Sequence, residues 1–98
     1  MTVLDAYAVI SYLRDEAAAD EVATLLREPT LLPTVNHAEV IDQLVQIYHR
    51  VADDVEADLA LLCHTGMDVA ALDAPTAILA GRLHACHYHR ERCAVSLA

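Results

Sequence analysis

The sequence predicts an α/β domain built on a small, largely parallel sheet. Four short apolar segments have the length and composition of buried strands, and helical patterns separate them along the chain. Strands that alternate with helices favour parallel pairing through right-handed crossovers. We expect residues 1–98 to form one domain, and the absence of Phe and Trp predicts an aliphatic core.

The strand and helix signals follow one another in the order β-α-α-β-α-α-β-α-β. The first strand, Thr2–Leu4, leads into a helical pattern that stops at the charged residue Arg14. A second helix is expected over 17–27, before Pro29. The second strand is expected over 31–35. Pro33 within it predicts a place near a sheet edge, because proline cannot donate to a central ladder.

The clearest helix begins near Asn36, because apolar residues then recur at helical spacing as far as Val51. A further helix is expected to end near Gly66, since glycine commonly follows a helix C-terminus. The remaining signals predict a third strand over 67–72, a helix over 75–92 and a strand-like segment over 94–97.

The charge balance restricts the partners that this chain can bind. Its net charge is −9, with six Arg and no Lys. Such an acidic chain is a poor general binder of nucleic acid, so any RNA contact must be local. Three Arg, Arg82, Arg90 and Arg92, lie close together near the C-terminus, and the last two are candidates for contact with substrate phosphate. The acidity also favours a basic protein partner.

Several features predict a cytoplasmic protein. The three Cys have no disulfide-framework spacing, which is typical of a reducing compartment. The N-terminus begins with strand-like residues in place of a basic signal region. No apolar run approaches the roughly 18 residues that span a bilayer, so we expect no membrane segment.

Two carboxylates are predicted to meet at one edge of the sheet. Asp5 directly follows the first strand, and Glu39 lies one turn into the helix after the second strand. Chemistry in open α/β sheets collects at the carboxyl ends of the strands. Two close carboxylates repel unless a cation or a proton lies between them, and their oxygens suit Mg²⁺ or Mn²⁺. The spacing therefore predicts a divalent-metal site.

Each of these acids also has a structural interpretation. Asp5 is a favoured N-cap residue at a strand-to-helix junction. Asn36 and Glu39 have the spacing of a capping box, with Asn36 at the N-cap and Glu39 reaching back to it. Two other acids are not assigned to the metal. Asp68 is expected at the amino end of the third strand, the wrong edge, and Asp73 has the features of a helix cap.

Three stretches of the chain carry a specific resemblance. VLDAYAVISYL places a strand, an Asp and a helix in succession, PTVNHAEVIDQL has Asn-x-x-Glu at a helix start, and AGRLHACHYHRERCAVSLA is a helix leading to a Ser-Leu-Ala strand end. In this order and spacing, over the whole chain, they resemble the PIN-domain ribonucleases. The similarity is greatest to the VapC-type toxins of bacterial toxin–antitoxin pairs.

The resemblance implies a three-layer α/β/α domain, usually a homodimer, that cleaves single-stranded regions of RNA with Mg²⁺ or Mn²⁺. It also implies an antitoxin as protein partner. The family's metal site is a cluster of three or four acids, of which Asp5 and Glu39 match the first and second. Asn36 matches the polar residue that begins the second motif. The acids hold metal, and the metal activates a water, so no covalent nucleophile from the protein is needed.

The chain departs from the family pattern after its Ser-Leu-Ala segment. In the family a third acid follows at once and a fourth comes later, with a last strand and helix, whereas this sequence stops at Ala98. We therefore expect an incomplete PIN-like domain with a weak metal site and exposed apolar surface that self-association would cover. The alternative function is a catalytically defective PIN-like remnant that acts only by binding an antitoxin or a second copy of itself.

A dense group of His and Cys residues near the C-terminus offers a rival metal signal, namely His84, Cys86, His87, His89 and Cys93. Its members fall into pairs that point in different directions on a helix, and the spacing matches none of the common zinc frameworks. The structural interpretation is that Cys86 is a small core residue and that the His and Arg side chains lie on a solvated helix face. Zinc is the less favoured hypothesis.

Overall fold

The computed structural model describes residues 1–87 and 94–96 of the chain. Within these residues it contains four strands and five helices in the order that the sequence predicts. They are β1 Thr2–Leu4, α1 Ala6–Leu13, α2 Ala19–Leu25, β2 Thr30–Pro33, α3 Thr34–Gln46, α4 Ala52–His64, β3 Met67–Ala70, α5 Ala74–His87 and β4 Ala94–Ser96. The prediction of a small α/β domain is confirmed.

The four strands form one sheet in the order β3-β2-β1-β4. Strands β1, β2 and β3 are parallel, whereas β4 runs antiparallel to β1, with Val95 opposite Val3. The predicted largely parallel sheet is therefore right for three strands, and β4 is the exception. The predicted edge position of the second strand is wrong. β2 is central, and Pro33 is tolerated because it is the last residue of the strand and immediately precedes α3.

The core lies where α3 packs against α1 and α4, where α3 contacts β2 and β3, and where α4 contacts β3. Leu4, Thr30 and Leu32 are strand residues with no exposed surface, and Met67 is almost fully buried. The helices contribute aliphatic side chains at their inward positions: Ala8, Val9, Ile10, Val22, Val40, Leu44, Val55, Leu59 and Leu62. The expected aliphatic core is confirmed. Among the described residues, no helix has both the length and the apolar character needed to cross a membrane.

Two glycines allow a matched test of the backbone. Gly66 follows the C-terminus of α4 with a φ of +116°, and Gly81 lies within α5; a Cβ at either position would meet no atom within 4 Å. We expect Gly66→Ala to lower the free energy of unfolding by about 1–3 kcal/mol, because an L side chain rarely adopts that backbone. We expect Gly81→Ala to raise it by about 0.5–1 kcal/mol through helix propensity.

Urea denaturation of the two variants beside wild type measures both effects. Because neither Cβ meets a neighbour, the two substitutions differ only in backbone conformation and in solvation. A shift of the same sign for both variants would contradict the assigned turn at Gly66.

Candidate functional site

A cleft of about 890 Å³ opens at the carboxyl ends of the three parallel strands. It begins at the last residues of β1 and β2 and at the segment after β3, and helices α1, α3 and α5 complete its walls. The lining residues are Val3, Leu4, Asp5, Ala6, Tyr7, Pro33, Thr34, Val35, Asn36, Ala38, Glu39, Ala71, Leu72, Ala77 and Gly81. The three residues that the sequence assigns to the first two motifs, Asp5, Asn36 and Glu39, are all among them.

Asp5 occupies the junction between β1 and α1. Its backbone is extended, with φ −92° and ψ 173°, and its Oδ1 accepts a hydrogen bond of 2.8 Å from the backbone N–H of Ala8. Asp5 is therefore the N-cap of α1, as one interpretation of the sequence predicts. The same half-buried side chain also lines the cleft. Asp5 therefore both caps α1 and occupies the predicted position at the sheet edge.

The capping box predicted for Asn36 and Glu39 is wrong. Helix α3 begins at Thr34 with Pro33 at its N-cap position, three residues before the expected N-cap Asn36, and no side chain caps it. Pro33 precedes the helix with φ −58° and ψ 146°, a conformation that the proline ring favours, and this brings the chain directly from β2 into α3. Asn36 and Glu39 are then the third and sixth helical residues, one turn apart on the side of α3 that lines the cleft.

The surroundings of Glu39 are those of an exposed helical carboxylate. Its Oε1 accepts a hydrogen bond of 2.9 Å from the side-chain amide of Gln43, one turn further along α3. Asn36 is half-buried. With the capping box absent, neither residue is needed to begin the helix, and what they share is a place on the cleft wall.

The two acids that the sequence did not assign to the metal have other positions. Asp73 accepts a hydrogen bond of 2.8 Å from the backbone N–H of Thr76 at the start of α5, so the predicted helix cap is confirmed. Two hydrogen bonds from Thr76 hold the pKa of Asp73 below its usual value of 3.8, and the bond from the side chain has a larger effect than the bond from the backbone. Asp68 is the second residue of β3, exposed and opposite Leu31, and therefore lies toward the amino end of the strand, as expected.

The donors present suit Mg²⁺ better than a softer metal. In the part of the chain that the structure describes, no group of three or more His, Cys, Asp or Glu side chains is arranged to hold a metal. Asp5 and Glu39 offer carboxylate oxygens and Asn36 an amide oxygen. Mg²⁺ is commonly bound through one or two carboxylates, with waters and substrate phosphates completing the shell. The three cleft residues fit that partial donor set.

Other predictions lie beyond the described residues. Arg90 and Arg92, the candidates for substrate contact, fall there, as do His89 and Cys93 of the zinc hypothesis. The zinc hypothesis therefore stays a prediction. Arg82 is exposed on α5, and Cys63 is a free, exposed thiol at the end of α4.

Exposed apolar residues that line the cleft are not evident as site residues from the sequence. Tyr7 and Val35 line the cleft and are 63% and 75% exposed. The available signal was the helical pattern of α1, in which Tyr7 falls outside the inward-facing set of Val9, Ile10 and Leu13. The sequence pattern also gives no sign of the cleft residues contributed by the segment after β3 and by α5, namely Ala71, Leu72, Ala77 and Gly81. Folding brings these segments to the same cleft as the ends of β1 and β2.

Comparison with models of known protein families, with curated proteins and with solved structures finds no match to this chain.

Proposed function

We propose that this chain is a metal-dependent endoribonuclease with a PIN-like three-layer fold, acting as the toxin of a toxin–antitoxin pair. The observation that carries the proposal is the meeting of Asp5, Asn36 and Glu39 in one cleft at the carboxyl edge of the sheet. These are the residues that the resemblance to the VapC-type toxins selects. Asp5 caps α1, whereas Asn36 and Glu39 lie on α3, and no structural role shared by the two elements requires these side chains to meet.

In this proposal Asp5 and Glu39 hold Mg²⁺ or Mn²⁺ at the cleft. The bound ion would supply a water of lowered pKa and stabilise charge on the phosphate. The Asp5 carboxylate is fixed in direction by its bond to the Ala8 N–H, and Glu39 is steadied by Gln43. Asn36, which can donate as well as accept, would orient a phosphate oxygen or a water between them.

The charge of the chain explains why the metal matters for substrate binding as well as for chemistry. At a net charge of −9 the protein repels an RNA backbone, so phosphate is attracted where a cation bridges it to the carboxylates. The same charge supports a basic antitoxin as the protein partner. A homodimer belongs to this proposal through the family resemblance, and a cytoplasmic location through the cysteine pattern and the N-terminal sequence.

A second candidate function is a PIN-like remnant that binds an antitoxin or a second copy of itself without catalysis. Two observations favour it. Asp5 and Glu39 are the only carboxylates that line the cleft among the described residues, and Ile78 and Leu79 of α5 are both exposed large apolar side chains. Such a remnant does not need the two carboxylates for its activity.

Cleavage of a single-stranded RNA carrying a fluorophore and a quencher separates the two candidates. We expect the protein to cleave this RNA in the presence of Mg²⁺ or Mn²⁺, and we expect EDTA to stop the cleavage. Glu39→Gln, which keeps the size of the side chain and removes its charge, should abolish most of the activity. Asp42→Asn is the matched control, because Asp42 is an exposed acid on α3 outside the cleft lining.

Two results would contradict the nuclease. One is the absence of metal-dependent cleavage by protein that is folded by circular dichroism. The other is cleavage that Glu39→Gln leaves unchanged, since a contaminating nuclease would behave in that way. The first result would favour the binding remnant, and sedimentation equilibrium would then measure its self-association.

A further inference from the structure

The tyrosines of this chain differ in what surrounds them. Among the three whose side chains the structure describes, Tyr12 packs against the core and Tyr48 is 37% exposed beneath the Arg14 guanidinium, 3.5 Å from the ring centre. Tyr7 is 63% exposed and lies in the wall of the cleft. Tyr12 is therefore held by core packing and Tyr48 by a cation–π contact, whereas Tyr7 lies beside the open space of the cleft.

The position of Tyr7 is set by the same turn that positions Asp5. Tyr7 is the second residue of α1, and the residues on either side of it, Ala6 and Ala8, are buried. Helix α1 therefore turns its small residues inward and its one large first-turn side chain toward the cleft. Because Asp5 is the N-cap of this helix, Tyr7 follows it by two residues, and both side chains line the same cleft.

The cleft has space beside this ring. Five of the described residues that line the cleft are Ala or Gly, namely Ala6, Ala38, Ala71, Ala77 and Gly81, and Val35 adds a 75% exposed apolar side chain from α3. Apart from Tyr7, the polar side chains in the described part of the lining are Asp5, Thr34, Asn36 and Glu39. A ligand that fits has a flat apolar part for the ring and an anionic part that a metal would join to the carboxylates.

An unpaired nucleotide has both parts. We propose that Tyr7 is a stacking platform for an unpaired base of single-stranded RNA, next to the phosphate held at Asp5 and Glu39. This inference rests on the proposed nuclease function and deepens it by naming a residue that contacts the base of the substrate. An aromatic ring stacks on any base, but a base within a duplex is already stacked on its neighbours. The platform therefore selects single-stranded substrate with little preference for sequence.

The absence of Trp from the sequence supplies a direct test. Tyr7→Trp introduces a single Trp at the cleft, and Ile47→Trp places one at a residue that is 58% exposed and outside the cleft lining. A single-stranded RNA of mixed sequence is added in Ca²⁺, which takes the place of Mg²⁺ and limits cleavage. Anisotropy of a dye on the RNA measures binding independently. We expect RNA to quench the indole fluorescence of the Tyr7→Trp variant and to leave that of the Ile47→Trp variant nearly unchanged.

Steady-state cleavage gives a second readout. Tyr7→Ala should raise KM by roughly 5- to 150-fold, the range expected for loss of one base–aromatic stack, with a smaller change in kcat. Tyr7→Phe keeps the ring and should stay within about twofold of wild type, because stacking does not require the hydroxyl.

The outcomes separate this inference from the nuclease proposal. If RNA binds and is cleaved but the fluorescence of the Tyr7→Trp variant does not change, or if Tyr7→Ala cleaves with an unaltered KM, the stacking platform is wrong and the nuclease stands. Tyr7 would then be a contact for a protein partner. If wild type neither binds nor cleaves the RNA in any of the three metals, both proposals fail together.

Discussion

Replacing Asp5 with Asn is expected to lower the rate of Mg²⁺-dependent RNA cleavage by about 10²- to 10³-fold. A metal site stabilises transition-state charge by several kcal/mol, and each 1.36 kcal/mol corresponds to a factor of ten in rate. Loss of one of the two carboxylates that line the cleft removes a large part of that stabilisation. Initial rates measured across a Mg²⁺ titration provide the test, and the Mg²⁺ concentration at half-maximal rate should rise.

The choice of Asn separates catalysis from folding. Asp5 caps α1 through Oδ1, and Asn is about as good an N-cap as Asp, so Asp5→Asn should leave thermal stability nearly unchanged. Asp5→Ala removes both the cap and the charge and should cost about 0.5–2 kcal/mol of stability in addition to the activity. Full cleavage by a folded Asp5→Asn protein would show that the carboxylate serves only to cap the helix.

Replacing Leu44 with Ala should produce the largest loss of stability among simple substitutions. Leu44 lies on α3, the helix that contacts α1, α4 and the sheet, and it has 0% exposed surface. Truncation of a buried Leu leaves a cavity and costs about 2–5 kcal/mol. The total free energy of unfolding of a native domain is roughly 5–15 kcal/mol. The variant should therefore unfold at a clearly lower urea concentration than wild type.

Leu61→Ala is the matched control for Leu44→Ala. Leu44 and Leu61 each lie near the C-terminal end of a 13-residue helix, α3 and α4 respectively, so the change in helix propensity is similar. Leu61 is 64% exposed, and its truncation leaves no closed cavity. We expect a change of less than about 1 kcal/mol for Leu61→Ala. Equal losses for the two variants would show that α3 is not the centre of the core.

The structure reproduces those features of the fold that depend on local pattern. Helix α1 has the predicted bounds, and Gly66 directly follows the C-cap residue of α4, as expected. The apolar periodicity of each segment is a property of neighbouring residues, so the order of strands and helices can be read from it. Asp5 and Glu39 reach one cleft because parallel strands separated by helices present their carboxyl ends on the same side.

Local pattern was misleading at Pro33. Pro33 predicted an edge position for a strand over 31–35, and the Asn-x-x-Glu spacing predicted a helix beginning near Asn36, whereas β2 is central and α3 begins at Thr34. Both errors have one cause. Proline ends the strand, so its missing N–H costs no central hydrogen bond, and its fixed φ leads directly into the helix.

The class of fold, the succession of its elements and the two carboxylates at the sheet edge can be predicted from the amino-acid sequence, because each depends on short-range periodicity and chain direction. The folded chain was needed to learn that β4 is antiparallel to β1, that α5 joins the wall of the cleft, and that Tyr7 is exposed there. These features depend on which distant segments pair and how much surface each covers. Residues close in the sequence do not encode those choices.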